Sequence, residues 1–142
     1  MIKVVLDTNI FVSGILNSKG APSQVLKAWQ ENKFVLTTSK PIIKEIKQVL
    51  NSAKIQEFLI KHNVVKEDLN DFFSTLSFNA LVVKPSFKLD IIKEDPADNK
   101  FLECALMVKA EYIVSGDKHL LKLKMYENIK IISAYELINL YI

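Results

Sequence analysis

The chain has 142 residues, half of them apolar and a quarter charged, which fits one domain with a substantial core. All 19 basic residues are lysine, so an arginine finger supplied by this chain is excluded, and a lone Cys104 excludes an internal disulfide or a multi-cysteine metal site. No apolar run approaches the ~20 residues that span a membrane, and the start enters a strand directly without a signal-peptide pattern, so the expected compartment is the cytoplasm.

Strand one is expected over Ile2 to Leu6, an apolar, β-branched run typical of a strand buried on both faces of a parallel sheet. It ends in Asp7-Thr8-Asn9, which places Asp7 where open α/β sheets put their ligand crevice. The stretch after it, with Gly14 and Gly20, reads as a loop leading to Pro22, the first position of a helix to about Asn32. Strand two is expected over Phe34 to Thr37, and Ser39 caps a helix through Leu50 with Pro41 in its first turn. In that helix Ile42, Ile46, Val49 and Leu50 form the apolar stripe, and Glu45 lies on its border.

From Lys54 to Asn79 the alternation pauses. Ile55, Phe58 and Leu59, then Leu69, Phe72, Phe73 and Leu76, recur at helical spacing, which suggests a helical hairpin whose apolar faces pack on the core or offer a partner surface. A third strand follows over Leu81 to Val83, and Ser86 to Glu94 is a charged loop. Asp95-Pro96 starts a helix to about Lys109, with Asp98 in its first turn. Cys104 falls in its apolar stretch and reads as a buried thiol. Tyr112 to Val114 is strand four, closed by Ser115-Gly116-Asp117 and a short helix around Leu120 to Leu123. Ile129 to Ile132 is strand five, and Ser133 with Glu136 makes a capping box for the last helix. Strands alternating with helices predict an α/β fold around a mainly parallel sheet of about five strands.

Four acids stand out: Asp7 and Asp117 at strand ends, Asp98 at a helix start, and Glu45 on a strand-following helix. Each has a plain alternative as a cap, a turn residue or a solvated helix edge. Together they form an oxygen-only donor set that selects Mg²⁺ or Mn²⁺ over Zn²⁺. Two such ions can activate water and stabilise a leaving oxygen in phosphodiester cleavage. Discounting these four leaves 12 acids against 19 lysines, a basic balance that suits a polyanion as well as an ordinary lysine-rich surface. His62 reads as a surface residue and His119 as a pocket residue without a second histidine. Gly-x-Ser-x-Gly, the P-loop and Gly-x-Gly-x-x-Gly are all absent.

Val5-Leu6-Asp7-Thr8-Asn9, the helical Glu45, Asp98 to Ala105 and Ser115-Gly116-Asp117-Lys118 resemble a PIN domain over nearly the whole chain. More closely, they resemble the bacterial and archaeal PIN proteins that serve as toxins of toxin–antitoxin pairs. That resemblance implies one domain over 1–142, a three-layer α/β/α sandwich, and a metal-dependent endoribonuclease leaving 5′-phosphate and 3′-hydroxyl ends. It implies an acidic site of Asp7, Glu45, Asp98 and Asp117 holding Mg²⁺ or Mn²⁺, with Asn9 and Ser115 as supporting polar residues. Lys100 and Lys118 are the nearby candidates for phosphate contacts. The expected partners are RNA, an antitoxin and a second copy of the chain, the hairpin between Ile55 and Leu76 being the candidate surface for either protein.

The sequence departs from the family where its next acid is commonly Asp, since His119 stands there. Asp95 reads as a cap rather than a ligand. The departure leaves room for a PIN-fold domain that binds RNA or protein with weak catalysis, and a phosphoacceptor domain using Asp7 is a third reading.

Overall fold

The computed structural model describes residues 1–142. Its centre is β1 (Lys3–Leu6), in which Val4, Val5 and Leu6 are fully buried, as an uninterrupted apolar run requires when both faces are covered. The nine-residue helix α1 (Thr8–Leu16) follows directly, and Asp7 caps it by accepting a hydrogen bond from the Ile10 amide at 3.1 Å. The expected loop is therefore a helix through Leu16. Gly14 belongs to its packing, because a Cβ there would sit 2.5 Å from a methyl of Leu26 on α2 (Ala21–Gln30). The glycine lets two helices approach closely and breaks neither.

The chain continues through β2 (Val35–Ser39), α3 (Lys40–Leu50), α4 (Ala53–Lys61), α5 (Lys66–Asn79) and β3 (Leu81–Val83). Ser39 caps α3 and Pro41 lies in its first turn, as expected. A short 3-10 turn (Pro96–Asp98) leads into α6 (Asn99–Val108), where one continuous helix from Pro96 was expected. The rest is β4 (Tyr112–Val114), α7 (Lys118–Leu123), β5 (Met125–Tyr126), β6 (Ile129–Ile132) and α8 (Ala134–Tyr141), the last closed by the Ser133–Glu136 capping box.

The sheet order is β3-β2-β1-β4-β6-β5, parallel throughout except for β5, which runs antiparallel to β6. The sixth strand, beyond the expected five, is a hairpin arm whose two-residue turn, Glu127-Asn128, has positive φ at both positions (49° and 68°). That backbone matches the strand twist, and glycine more often supplies it. Connections from β1 to β2 and from β2 to β3 step one way across the sheet, while those from β3 to β4 and from β4 to β6 step the other. Right-handed crossovers then put the intervening helices on opposite faces, an α/β/α arrangement.

Register places the site. Val5 pairs with Thr37, and Leu6 pairs with Val114. Asp7, Ser39 and Ser115 therefore emerge side by side at one rim, about one strand spacing (~4.8 Å) apart. This is where the order reverses from β1–β2–β3 to β1–β4–β6, the topological switch of the sheet.

Candidate metal centre

Ser115 ties the rim together. Fully buried after β4, it donates its hydroxyl hydrogen to Asp7 Oδ2, and its oxygen accepts from the Asp117 amide at 2.9 Å. Asp117 caps α7 in turn, its Oδ1 accepting from the His119 amide at 2.8 Å. Burial raises the Asp7 pKa and outweighs the hydrogen bonds from the Ser115 hydroxyl and the Ile10 amide that lower it, with the charge of Asp117 adding to the rise. Asp117 is thus the cap it reads as, Asp7 at its strand-to-helix turn is one too, and capping leaves further carboxylate lone pairs free for a ligand.

Asp98 arrives from another direction. The turn Pro96–Asp98 presents it almost buried, at 8% exposure, and its Oδ2 has no hydrogen-bond partner. Burial, a hydrogen bond with Asp117, and the charges of Asp95, Asp117 and Asp7 push its pKa up to about 7. A buried acceptor beside three other carboxylates is costly unless a cation or a proton meets it. The Thr8 hydroxyl, buried beside Asp7, likewise has no partner.

Ligand atoms of Asp95, Asp98, Asp117 and His119 all lie within 4.8 Å of one another. Asp95 occupies the cap position of its turn but makes no side-chain capping bond, so its carboxylate is available to the group. His119 Nδ1 lies 3.6 Å from Asp117 Oδ1. Three carboxylates, one of them with a partnerless buried oxygen, and one imidazole fit a divalent cation that prefers oxygen and accepts one nitrogen.

The remaining expected residues fall around this group. Glu45, half-buried on α3, forms an ion pair with Lys100 on α6 and lies outside the clustered set. Lys100 also donates to the Ala97 carbonyl at 2.8 Å, so its ammonium spans α3 and the Asp98 turn. Asn9 is exposed in the first turn of α1, and Lys118 is exposed at the start of α7. His62 is exposed and stacks on Phe58, and Cys104 is buried with its thiol pushed up to about 12 by burial, both as expected.

Two residues of the Asp98–Ala105 stretch have a role that the sequence reading does not assign them. Asn99 accepts from the amides of Ile91 (3.0 Å) and Ile92 (2.9 Å) and donates to the carbonyls of Ile92 (3.1 Å) and Pro96 (3.0 Å). One turn later Glu103, also buried, accepts from the Leu89 amide at 2.8 Å. They strap the charged loop onto α6 and thereby place Asp95 and Asp98. Their signal was a pair of polar residues one turn apart on an otherwise apolar helix face, next to a loop whose amides need acceptors.

Comparison with known proteins agrees with this arrangement. A family model described as PIN domain matches residues 3–119. An uncharacterized protein of Methanocaldococcus jannaschii is 35% identical over 123 residues, covering 87% of this chain and 76% of the relative. Among solved structures, a chain of VapBC2 from Rickettsia felis, bound to a DNA fragment from its promoter, aligns with a TM-score of 0.57. It is 18% identical, and the alignment covers 92% of this chain and 97% of that one. A chain of FitAcB from Neisseria gonorrhoeae aligns with a TM-score of 0.51 at 13% identity, covering 93% and 98%. At those identities the two structures speak for the fold. With an acidic cluster at the switch point of its sheet and the family match over most of its length, the chain belongs to the PIN domain family.

Proposed function

We propose that residues 1–142 act as one PIN domain that cleaves RNA phosphodiester bonds endonucleolytically with Mg²⁺ or Mn²⁺, in the cytoplasm, as the toxin of a toxin–antitoxin pair. The observation that carries this is the buried, partnerless Asp98 Oδ2 set against Asp117 and Asp7, a charge arrangement that a divalent cation relieves. Such an ion, when bound, would make a water nucleophilic at neutral pH and stabilise the leaving oxygen. The basic balance outside the acids favours a polyanionic substrate.

The chain's own residues divide the work. Asp7, Asp98 and Asp117 hold the cation, and Ser115 fixes Asp7 relative to Asp117 through its two hydrogen bonds. Asn9, exposed beside Asp7, orients the attacking water. Glu45 enters the site by exchanging its bond to Lys100. The freed Lys100 ammonium then meets a phosphate, with Lys118 as a second contact at the mouth of α7. In-line attack at phosphorus, with the oxygen leaving from the 3′ side, gives 5′-phosphate and 3′-hydroxyl ends.

The α4–α5 hairpin is the surface for an antitoxin or a second copy. Its exposed Ile60, Val65 and Phe78 are the apolar groups such a partner would cover. His119, standing where the family commonly has an acid, favours a second reading: a PIN-fold domain that binds RNA or protein and cleaves weakly. Mapping RNA 5′ ends in cells expressing the wild type or Asp7→Asn separates the two. Discrete new 5′-phosphate ends dependent on Asp7 support the nuclease, and identical end maps support the binding domain.

A further inference from the structure

The group Asp95, Asp98, Asp117 and His119 overlaps the expected acidic site but is a different set. Asp7 and Glu45 lie outside it, and a nitrogen and an additional carboxylate have come in. His119 is placed by the backbone. Asp117 caps α7 by accepting from the His119 amide, which fixes the first turn and holds the imidazole Nδ1 3.6 Å from Asp117 Oδ1. Asp95 is placed by the strap: Asn99 bonds both amides and one carbonyl of Ile91-Ile92 and the Pro96 carbonyl, leaving the Asp95 carboxylate without a capping duty. Asp98 contributes a carboxylate that is nine-tenths buried and has one oxygen unmatched.

We infer that His119 is a metal ligand, and that with Asp95, Asp98 and Asp117 it forms a three-oxygen, one-nitrogen position that takes Mn²⁺ in preference to Mg²⁺. This rests on the metal-dependent reading above and names the ion that reading leaves open. The chemistry is ligand preference. Mg²⁺ is small, dehydrates reluctantly and favours an octahedral shell of oxygen. Imidazole nitrogen raises affinity for first-row transition ions, among which Mn²⁺ is the one most at home with carboxylates. Replacing an acid by a neutral imidazole also removes one negative charge from the shell, which weakens a purely electrostatic ligand set most. Carboxylates alone would bind either ion; His119 makes the position discriminate. At 33% side-chain exposure the ring has room to adjust onto an ion without disturbing the core.

The test uses the full chain and Mn²⁺ itself. Binding is followed by loss of the free-ion electron paramagnetic resonance signal, with Mg²⁺ as competitor, and pulsed resonance on the bound ion reads nitrogen coupling. The wild type should bind Mn²⁺ saturably, show ¹⁴N coupling from one imidazole, and require a large excess of Mg²⁺ to displace it. His119→Asp should retain binding, lose the nitrogen coupling, and shift the Mn²⁺-to-Mg²⁺ preference toward Mg²⁺ by on the order of tenfold. Asp98→Asn should abolish saturable binding in both backgrounds. Bound Mn²⁺ that depends on Asp98 but shows no nitrogen coupling, or a preference unmoved by His119→Asp, overturns the assignment of His119 and leaves the nuclease reading standing. No saturable binding by the wild type overturns both.

Discussion

The rim between β1 and β4 and the α4–α5 hairpin depart from an ordinary protein surface in opposite directions. At the rim polar groups are buried: Asp7, Asp98 and Ser115 are each at most 8% exposed, and Asp98 Oδ2 and the Thr8 hydroxyl have no partners. On the hairpin apolar groups are exposed. Helix α4 buries only Leu59 and α5 only Leu76, while Phe78 is 88% exposed. Both are unfavourable for an isolated chain, one by desolvated charge and the other by wetted hydrocarbon. The remedy differs in kind: an ion at the rim, an apolar covering surface on the hairpin. Mutations in the two regions should therefore separate activity from stability.

The largest effect expected is at the rim. Asp98→Asn should cut metal-dependent cleavage by more than about a hundredfold. Because above pH 7 it removes a buried charge facing three other acids, it should also raise the metal-free melting temperature there by about 3 °C, read by calorimetry in chelator. Loss of activity with an equal loss of stability would show that Asp98 supports the fold and has no special part in the site.

The same residue gives a pH signature. Its folded pKa of about 7 lies above its usual value of 3.8, so the folded state holds the proton more tightly than the unfolded state. The resulting stabilisation is present at low pH and is lost as pH rises. Metal-stripped protein should lose stability to urea as pH rises from about 4 to 7, and Asp98→Asn should flatten that slope. Saturating metal ion should reverse it.

On the hairpin the pattern inverts. Leu76 is fully buried, so Leu76→Ala should cost about 3 kcal/mol in chemical denaturation while cleavage per folded molecule stays within twofold. Asn99→Ala lies between these extremes. It strips acceptors from two amides near the site and should cost about 2 kcal/mol while also weakening metal binding, since Asp95 and Asp98 lose their anchor. A metal affinity unchanged in that variant would dissociate the strap from the site.

How legible this molecule is in its sequence follows the same division. Strands β1 and β4 could be read because burial on both faces demands continuous apolar runs, β2, β3 and β6 from short β-branched stretches, and the Ser39 and Ser133 caps because they are local. Helix α1 was hidden by Gly14, whose purpose is a close approach to Leu26 and so depends on a second helix. Strand β5 was hidden because Glu127 and Asn128 supply a turn that glycine usually marks. At the rim, Asp7, Asp98 and Asp117 stood out because each sits at the end of an element. The pairing of Glu45 with Lys100 joins α3 to α6 across two intervening helices and a strand, and no local pattern encodes it. Asp95 reads as a cap in the sequence because whether a cap residue actually caps is decided by the turn geometry, while His119 reads as a pocket residue whose carboxylate neighbours only the fold brings together.

The central claim is that the rim acids form a metal-dependent RNA-cutting site. Its most direct test is incubation of end-labelled single-stranded RNA with the purified chain in Mn²⁺, beside Asp7→Asn and beside wild type in EDTA. The account predicts internal cleavage to 5′-phosphate products by the wild type alone, with Asp7→Asn folded and inactive because asparagine can still cap α1. Cleavage that persists both in EDTA and in Asp7→Asn would contradict it.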